Sequence, residues 1–259
     1  MSELFTPDIY YGVVWSMLGL AVVVFVALHR FTAGYGMMYN SRWGKGINNR
    51  LGWFVMEAPV VIAMMLLWLL SPRRAEAAPD VMAIIFLAHY VQRAFVFPFL
   101  IRGKSRMPVA IIAMGILFNV VNAYMIGGWI FYVAPPDRYP ASWLASPLFI
   151  LGTLIFFAGM AINIHSDHII RNLRKPGDTN HYIPRGGMFR FVTSANYLGE
   201  LSEWIGYAIL TWSLGGLAFA VWTFANLAPR AASIHDRYIK EFGSEYSSLH
   251  RKYIIPFIY

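Results

Sequence analysis

Ala161-Ile162-Asn163-Ile164-His165-Ser166-Asp167-His168-Ile169-Ile170-Arg171-Asn172-Leu173-Arg174-Lys175-Pro176-Gly177-Asp178 is where an apolar segment runs out into a basic loop. Residues three and four apart are neighbours on a helix, so Asn163, Asp167, Arg171 and Arg174 would share one face. An amide, a carboxylate and two guanidiniums along one stripe at a membrane edge suit a large polyanion that also carries hydroxyls and an amide. A phosphorylated dinucleotide is such a ligand.

The sequence on either side explains the membrane edge. The 259-residue chain is 58% hydrophobic and only 13% charged, whereas charged residues make up about a quarter of a soluble domain. Its mean hydropathy is +0.51. A bilayer core of about 30 Å takes roughly 20 apolar residues per helix. Stretches of that kind run at roughly 10–29, 51–71, 81–101, 108–130, 144–165, 193–212 and 214–230. Gly215-Gly216 either breaks one long pattern or joins the last two stretches. The first stretch reads as a retained helix and not a secretion signal, because Glu3 and Asp8 precede it and its apolar run is long. The expected fold is all-α, one membrane domain over 1–259 built as a polytopic bundle of seven transmembrane helices.

The net charge of +8 is distributed as a membrane protein requires, and nucleic acid is not an expected partner. Arg42, Lys45 and Arg50 follow the first stretch, and Arg102, Lys104 and Arg106 the third. Arg171, Arg174, Lys175, Arg185 and Arg190 follow the fifth, and Arg230, Arg237, Lys240, Arg251 and Lys252 the last. The intervening loops hold balanced charges: Arg73, Arg74, Glu76 and Asp80, then Asp137 and Arg138. Alternate basic loops put the N-terminus outside and the C-terminus in the cytosol by the positive-inside rule. A bacterial inner membrane and an endoplasmic reticulum membrane both fit. With no cysteine, disulfides, thiolate metal sites and a cysteine nucleophile are excluded.

Character shifts near residue 140. The first four helices carry few polar groups, whereas the remainder is dense in Asn, Asp, Arg, Glu and Tyr. The expected division is a lipid-substrate half over 1–140 and a cofactor half over 141–259. The apolar end, Tyr253 to Tyr259, is too short to span and is expected to pack back on the bundle.

Ionisable residues inside spans are costly and ask for a reason. Glu57 lies in Trp53-Phe54-Val55-Met56-Glu57-Ala58-Pro59; in its neutral form it can donate a hydrogen bond to a carbonyl, or it can serve a helix end loosened by Pro59. His89, Tyr90 and Arg93 lie in the third stretch, and Tyr90 adds a second donor. Asn196 and Glu200 share a face in the sixth stretch and Glu203 extends it, for a bound amide or for helix–helix hydrogen bonds. Arg230, Tyr238 and Arg251 suit phosphates through guanidinium forks, or lipid headgroups. The seven histidines include a single HxxH pair, His165 and His168, too dispersed a supply for a di-iron site. No GxGxxG, P-loop or nucleophile elbow is present.

Several runs resemble the steroid 5α-reductase family in order and spacing: Ile162 to Asp167, Leu173 to Asp178, Ile183 to Gly187, Ala195 to Glu200, Glu203 to Ala208, Thr211 to Ser213 and Ile255 to Phe257. Looser matches stand at Glu57-Ala58-Pro59, His89-Tyr90, Arg93, Pro98-Phe99-Leu100 and Arg102-Gly103, so the resemblance covers roughly 50–259. It implies a seven-helix reductase that uses NADPH to reduce the C4–C5 double bond of a 4-ene-3-oxosteroid taken from the bilayer. It also implies that Glu57 and Tyr90 hold the C3 carbonyl, with Trp53 and Met56 beside them. By the same resemblance Asn163, Asp167, Arg171, Arg174, Tyr182, Arg185, Asn196, Glu200, Arg230, Tyr238 and Arg251 hold the cofactor, joined by Arg93 and Arg102. No metal and no obligate protein partner are implied.

Two positions depart from the family pattern: Met56 stands where Gln is usual, and Gln92 where His is usual. Both bear on substrate identity more than on reaction type. Polyprenol-derived and long-chain enoyl compounds are the competing substrates within reductases. A membrane methyltransferase using S-adenosylmethionine would not need so many arginines, because that cofactor has no phosphates. A transporter would favour inverted repeats, which are not evident.

Overall fold

The computed structural model describes residues 2–31, 34, 38–102, 105–175, 178 and 180–259. The motif positions Gly103, Pro176 and Gly177, and the loop cation Lys104, lie outside the described residues.

Helices dominate. α1 (Pro7–Arg30) is followed by α2 (Asn49–Leu69). α3 (Ala77–Val91) passes through a π turn at Gln92–Val96 into the short α4 (Phe97–Leu100). α5 (Val109–Gly128), α6 (Pro147–Asn172), α7 (Ala195–Thr211), α8 (Leu214–Phe242) and the short α9 (Ser244–Ser247) complete the set. One small departure from the all-α expectation is an antiparallel pair, β1 (Gly46–Asn48) with β2 (Arg106–Pro108), in which Ile47 faces Met107. It ties the start of α2 to the start of α5.

Five helices are long and apolar enough to cross a membrane: Pro7–Arg30, Asn49–Leu69, Ala77–Leu100, Val109–Val133 and Pro147–Asn172. The chain is therefore a membrane protein. The sequence expectation was seven, and α7 and α8 fall outside the set of five. They bury polar groups against the other helices: Glu203 on α7 and Arg230 on α8 are both buried. Such inward polar side chains lower the apolar content that marks a span, and α7, at 17 residues, is also short.

Local chemistry sets the breaks. Between α7 and α8, Trp212 takes the left-handed conformation as the C-cap and the Ser213 hydroxyl accepts from the Gly216 amide. The Gly215-Gly216 pair therefore opens a second helix. The fifth apolar stretch was expected to end near 165, but α6 continues to Asn172. This keeps Asn163, Asp167 and Arg171 on one helix, while Arg174 lies beyond its end.

α6 and α7 pack with almost no side chain between their backbones. A Cβ at Gly159 would come within 2.6 Å of the Glu203 amide nitrogen, and one at Gly199 would collide with the Asn163 backbone. This contact places Asn163 and Asp167 opposite Asn196 and Glu200. The main core fills between α2, α3, α5, α6 and α7, with Met64, Met82, Phe86, Phe131, Phe156, Trp204 and Tyr207 fully buried. α1 is mostly exposed and anchors through Tyr10, whose hydroxyl donates to the Met125 carbonyl at 2.9 Å.

The final segment folds back as expected. The amides of Thr193 and Ser194 donate to the carbonyls of Lys252 and Tyr253 at 2.8 and 3.1 Å. Ile254 is buried with Leu201, Leu227 and Ala228.

Candidate active site

A cavity of about 730 Å³ runs among α1, α2, α3, α5, α7 and α8 and the end of α6. Residues from the middle of helices, including Trp53, Met56, Glu57, Tyr90, Met114, Phe118 and Trp222, form one part of its wall. Helix ends and the 178–190 loop form another, with Asp167, Arg171, Arg174, Tyr182 and Tyr238.

Glu57 sits two residues before Pro59, within α2. Proline has no N–H, so the helix ladder is already interrupted there. Asn119 crosses from α5, and its side-chain amide donates to the Met56 carbonyl at 2.8 Å and to Glu57 Oε2 at 3.1 Å. Three residues on, the Asn122 amide donates to the Tyr90 hydroxyl at 2.9 Å. Glu57 and Tyr90 thus belong to one wall, and each is held by an asparagine of α5. Met56 lies over Gly115, where a Cβ would meet its thioether sulfur at 2.5 Å.

Arg93 enters the cavity from the π turn. Such a turn inserts one extra residue and is common at functional sites. Its guanidinium carbon lies 4.7 Å from the Trp53 ring centroid and 4.4 Å from that of Phe97. Its terminal nitrogens are 3.4 Å from Asp167 Oδ2 and 3.8 Å from Glu200 Oε2. The cation is thereby centred between two carboxylates of α6 and α7.

Of the other sequence candidates, Arg102, Arg171, Arg174, Tyr182, Asn196, Glu200, Arg230 and Tyr238 line the same cavity. Arg230 Nε donates to the Tyr197 hydroxyl at 2.8 Å. Three candidates lie outside the wall. Asn163 is buried and donates to the Asn196 carbonyl at 2.9 Å, so it holds the start of α7 in place. Arg185 is exposed and pairs with Glu245 at 3.0 Å. Arg251 is buried with Nε and Nη1 unpartnered among the described residues, its guanidinium 5.8 Å from the Tyr246 ring.

Glu203 departs from the stripe drawn through Asn196 and Glu200. It is absent from the wall and fully buried, and Oε2 meets His89 Nδ1 at 2.7 Å. His89 does line the cavity. Its ring lies edge-on to Trp204 and to Tyr90, with centroids 4.6 and 5.1 Å away.

Sequence reasoning missed Asn119, Asn122, Tyr197, Thr223 and Asn226. All but Asn122 line the cavity. Thr193, also in the wall, is fixed by contacts of its hydroxyl at 2.8 Å with His235 Nδ1 and at 2.6 Å with the Tyr246 hydroxyl. In the loop, the Asn180 backbone N–H and the Tyr182 hydroxyl both donate to Asp178 and hold its carboxyl below the usual carboxylate range. Among the described residues no cluster of His, Asp and Glu suits a metal ion; His168 instead contacts Arg171 and Asn172, both at 3.0 Å.

These features define a helical membrane protein with a mixed cavity, apolar among its helices and cationic at its loop edge. The family profile described as 3-oxo-5-alpha-steroid 4-dehydrogenase matches residues 105–259. The mouse (Mus musculus) 3-oxo-5-alpha-steroid 4-dehydrogenase 1 is 42% identical over 243 residues, 92% of each chain. Its human (Homo sapiens) counterpart is 44% identical over 213 residues, 81% of this chain and 80% of the relative. The tomato (Solanum lycopersicum) steroid 5-alpha-reductase DET2 is 34% identical over 256 residues, 97% of this chain and 98% of the relative. The chain belongs to the 3-oxo-5-alpha-steroid 4-dehydrogenase family.

Proposed function

We propose that this protein reduces the C4–C5 double bond of a 4-ene-3-oxosteroid to the 5α product, with NADPH as reductant. One observation carries the reading: a single cavity joins Glu57 and Tyr90, on membrane helices, to Arg171, Arg174 and Arg230 at its cationic edge. The donor set fits a phosphorylated dinucleotide. Guanidiniums suit phosphates, Asp167 and Glu200 suit ribose hydroxyls or a carboxamide, and the buried Ser194 hydroxyl of the wall has no partner among the described residues. Bound NADPH supplies the hydride for C5.

The chain's own residues supply orientation and field. Glu57 and Tyr90 hydrogen-bond the C3 carbonyl oxygen. As C5 gains hydride, negative charge moves through the enone to that oxygen, and donors placed there stabilise the enolate more than the ketone. A proton added at C4 completes the reduction. Trp53 and Met56 pack the steroid beside this pair. Arg93, between Asp167 and Glu200, joins the cofactor part of the wall to the steroid part, and Arg102 extends the cationic edge. Asn196, Tyr182 and Tyr238 complete the cofactor wall, while Asn163, Arg185 and Arg251 support it from behind.

The topology in this reading is seven spans, with the N-terminus outside and the cationic edge and C-terminus in the cytosol. Residues 1–140 form the lipid-substrate half and 141–259 the cofactor half. The substrate arrives from the bilayer and the cofactor from the cytosol.

The test is incubation of detergent-purified protein with NADPH and testosterone, with product mass and C5 configuration as readouts. A gain of two hydrogens with 5α configuration, greatly reduced in Glu57→Gln and Tyr90→Phe, is expected. NADPH binding without any reduced steroid would overturn the substrate assignment and direct attention to enoyl or polyprenol-derived compounds.

A further inference from the structure

We propose that Asn119 and Asn122 of α5 are positioning residues that fix where the protons of Glu57 and Tyr90 point, so that both donate to one carbonyl oxygen in the cavity. The proposal rests on the reading of Glu57 and Tyr90 as the carbonyl-binding pair.

The assignment at Asn119 follows from chemistry. Its amide nitrogen lies 2.8 Å from the Met56 backbone carbonyl oxygen. A carbonyl has no hydrogen to give, so the group facing it is the NH₂ and not the amide oxygen. The same nitrogen lies 3.1 Å from Glu57 Oε2, to which its second hydrogen goes. Oε2 is therefore an acceptor, and because the carbonyl oxygen of a neutral carboxyl accepts better than its hydroxyl oxygen, the proton of a neutral Glu57 is assigned to Oε1. Asn119 also lines the cavity, so this arrangement is made at the wall itself.

At Asn122 two amide orientations compete. With the NH₂ toward Tyr90, the nitrogen donates to the hydroxyl at 2.9 Å and leaves only the Asn122 carbonyl oxygen without a partner. With the amide reversed, a fully buried NH₂ would lack an acceptor. Orphaned buried donors are rarer than under-satisfied acceptors, so the first orientation holds. The Tyr90 oxygen then accepts from Asn122, and its own hydrogen stays unclaimed by the protein. Accepting one hydrogen bond also polarises a hydroxyl toward donating another.

Both asparagines project from one face of α5, three positions apart, toward different helices. Together they turn an acid on α2 and a phenol on α3 into two donors. Asn122 is absent from the cavity wall and acts only through Tyr90.

Double-mutant cycles on the full-length, detergent-purified chain test this with NADPH and testosterone. The variants are Asn122→Leu, Tyr90→Phe and their combination, and Asn119→Leu, Glu57→Leu and theirs. Readouts are kcat, steroid KM, NADPH affinity by fluorescence and the melting temperature. Each leucine variant is expected to lower kcat on the order of ten- to a hundredfold, less than loss of a direct oxyanion donor, with NADPH affinity within about twofold of the parent. Each double variant is expected to be no slower than its Tyr90→Phe or Glu57→Leu parent, because neither parent keeps a donor for the asparagine to orient. Equal slowing by Asn122→Leu in the wild-type and Tyr90→Phe backgrounds would overturn the proposal, as would unchanged kcat in both leucine variants. If a leucine variant loses its melting transition, the alanine variant at that position carries the same cycle. Wild-type kcat in both Tyr90→Phe and Glu57→Leu would instead sink the underlying carbonyl reading.

Discussion

His89 and Glu203 meet at 2.7 Å inside the bundle although 114 positions separate them in the chain. Glu203 is fully buried, and its other oxygen has no partner among the described residues. This contact ties α3 to α7 directly beside Tyr90.

Glu203→Ala is accordingly expected to destabilise the protein by about 1–3 kcal/mol, the cost of leaving a buried polar partner unsatisfied. Glu203→Gln keeps an acceptor oxygen within reach of His89 and should lose less. Thermal melting in detergent measures both. Because the His89 ring packs on Tyr90, kcat for steroid reduction should fall in Glu203→Ala beyond any loss of folded protein. Wild-type melting in the alanine variant would contradict this account.

The near-contact of the α6 and α7 backbones gives a second expectation. Gly159→Ala and Gly199→Ala each insert a methyl where backbone atoms already stand. Overpacking of this kind costs about 1–3 kcal/mol. The two helices must move apart, and with them Asp167 and Glu200. Weaker NADPH binding together with a lowered melting temperature is expected, measured by fluorescence titration and calorimetry. An alanine variant with unchanged affinity would show that the spacing of the helices is not what positions the carboxylates.

Arg171 and Arg174 are read as phosphate ligands at the cationic edge. Arg171→Ala or Arg174→Ala should raise the NADPH Kd about tenfold each, equivalent to roughly 1.4 kcal/mol per lost contact. The steroid KM, set among the helices, should change little. A variant that shifts steroid KM and leaves NADPH affinity intact would reverse the assignment of the two regions.

Met56→Gln tests the departure from the family pattern. Gln has nearly the length of Met and can lie over Gly115 in the same way. It brings an amide to the wall beside Glu57. A several-fold lower KM for testosterone is expected, with NADPH affinity unchanged; a higher KM would mean that the thioether itself suits the natural substrate.

The proposed topology is testable because the chain contains no cysteine, so any introduced thiol is unique. Ser142→Cys and Ser248→Cys both place a thiol at an exposed position. A membrane-impermeant maleimide added to intact cells should label the first and spare the second. The opposite pattern would invert the orientation.

How much of this was legible in the sequence depends on whether a single helix carried the signal. The helix boundaries of the five apolar spans lie within a few residues of the apolar stretches, except that α6 runs on to Asn172. Helical spacing alone brought Asn163, Asp167 and Arg171 to one side. Glu57 stood out because a carboxyl group in an apolar run is conspicuous. Asn119 and Asn122 did not, since an uncharged amide barely disturbs a hydrophobic pattern and their partners belong to other helices. For Glu203, read as serving either a bound amide or a helix–helix hydrogen bond, the second holds, and its partner His89 on α3 is set by packing that no local pattern reports. The π turn that delivers Arg93 has no local spacing signature of its own, and Arg185 found Glu245 on α9 at a distance that no sequence pattern reports.

The return of the chain at 251–259 has a consequence for biosynthesis. Thr193 and Ser194, which line the cavity, are pinned by backbone hydrogen bonds to Lys252 and Tyr253. Membrane helices are inserted in order as they leave the ribosome, and this segment emerges after all of them. A nascent chain halted before it would hold its helices in the bilayer while this part of the cavity wall still lacked its fastening. The chamber is thus fastened only once residues 251–259 have been made, and chains stopped before them should be inserted but inactive.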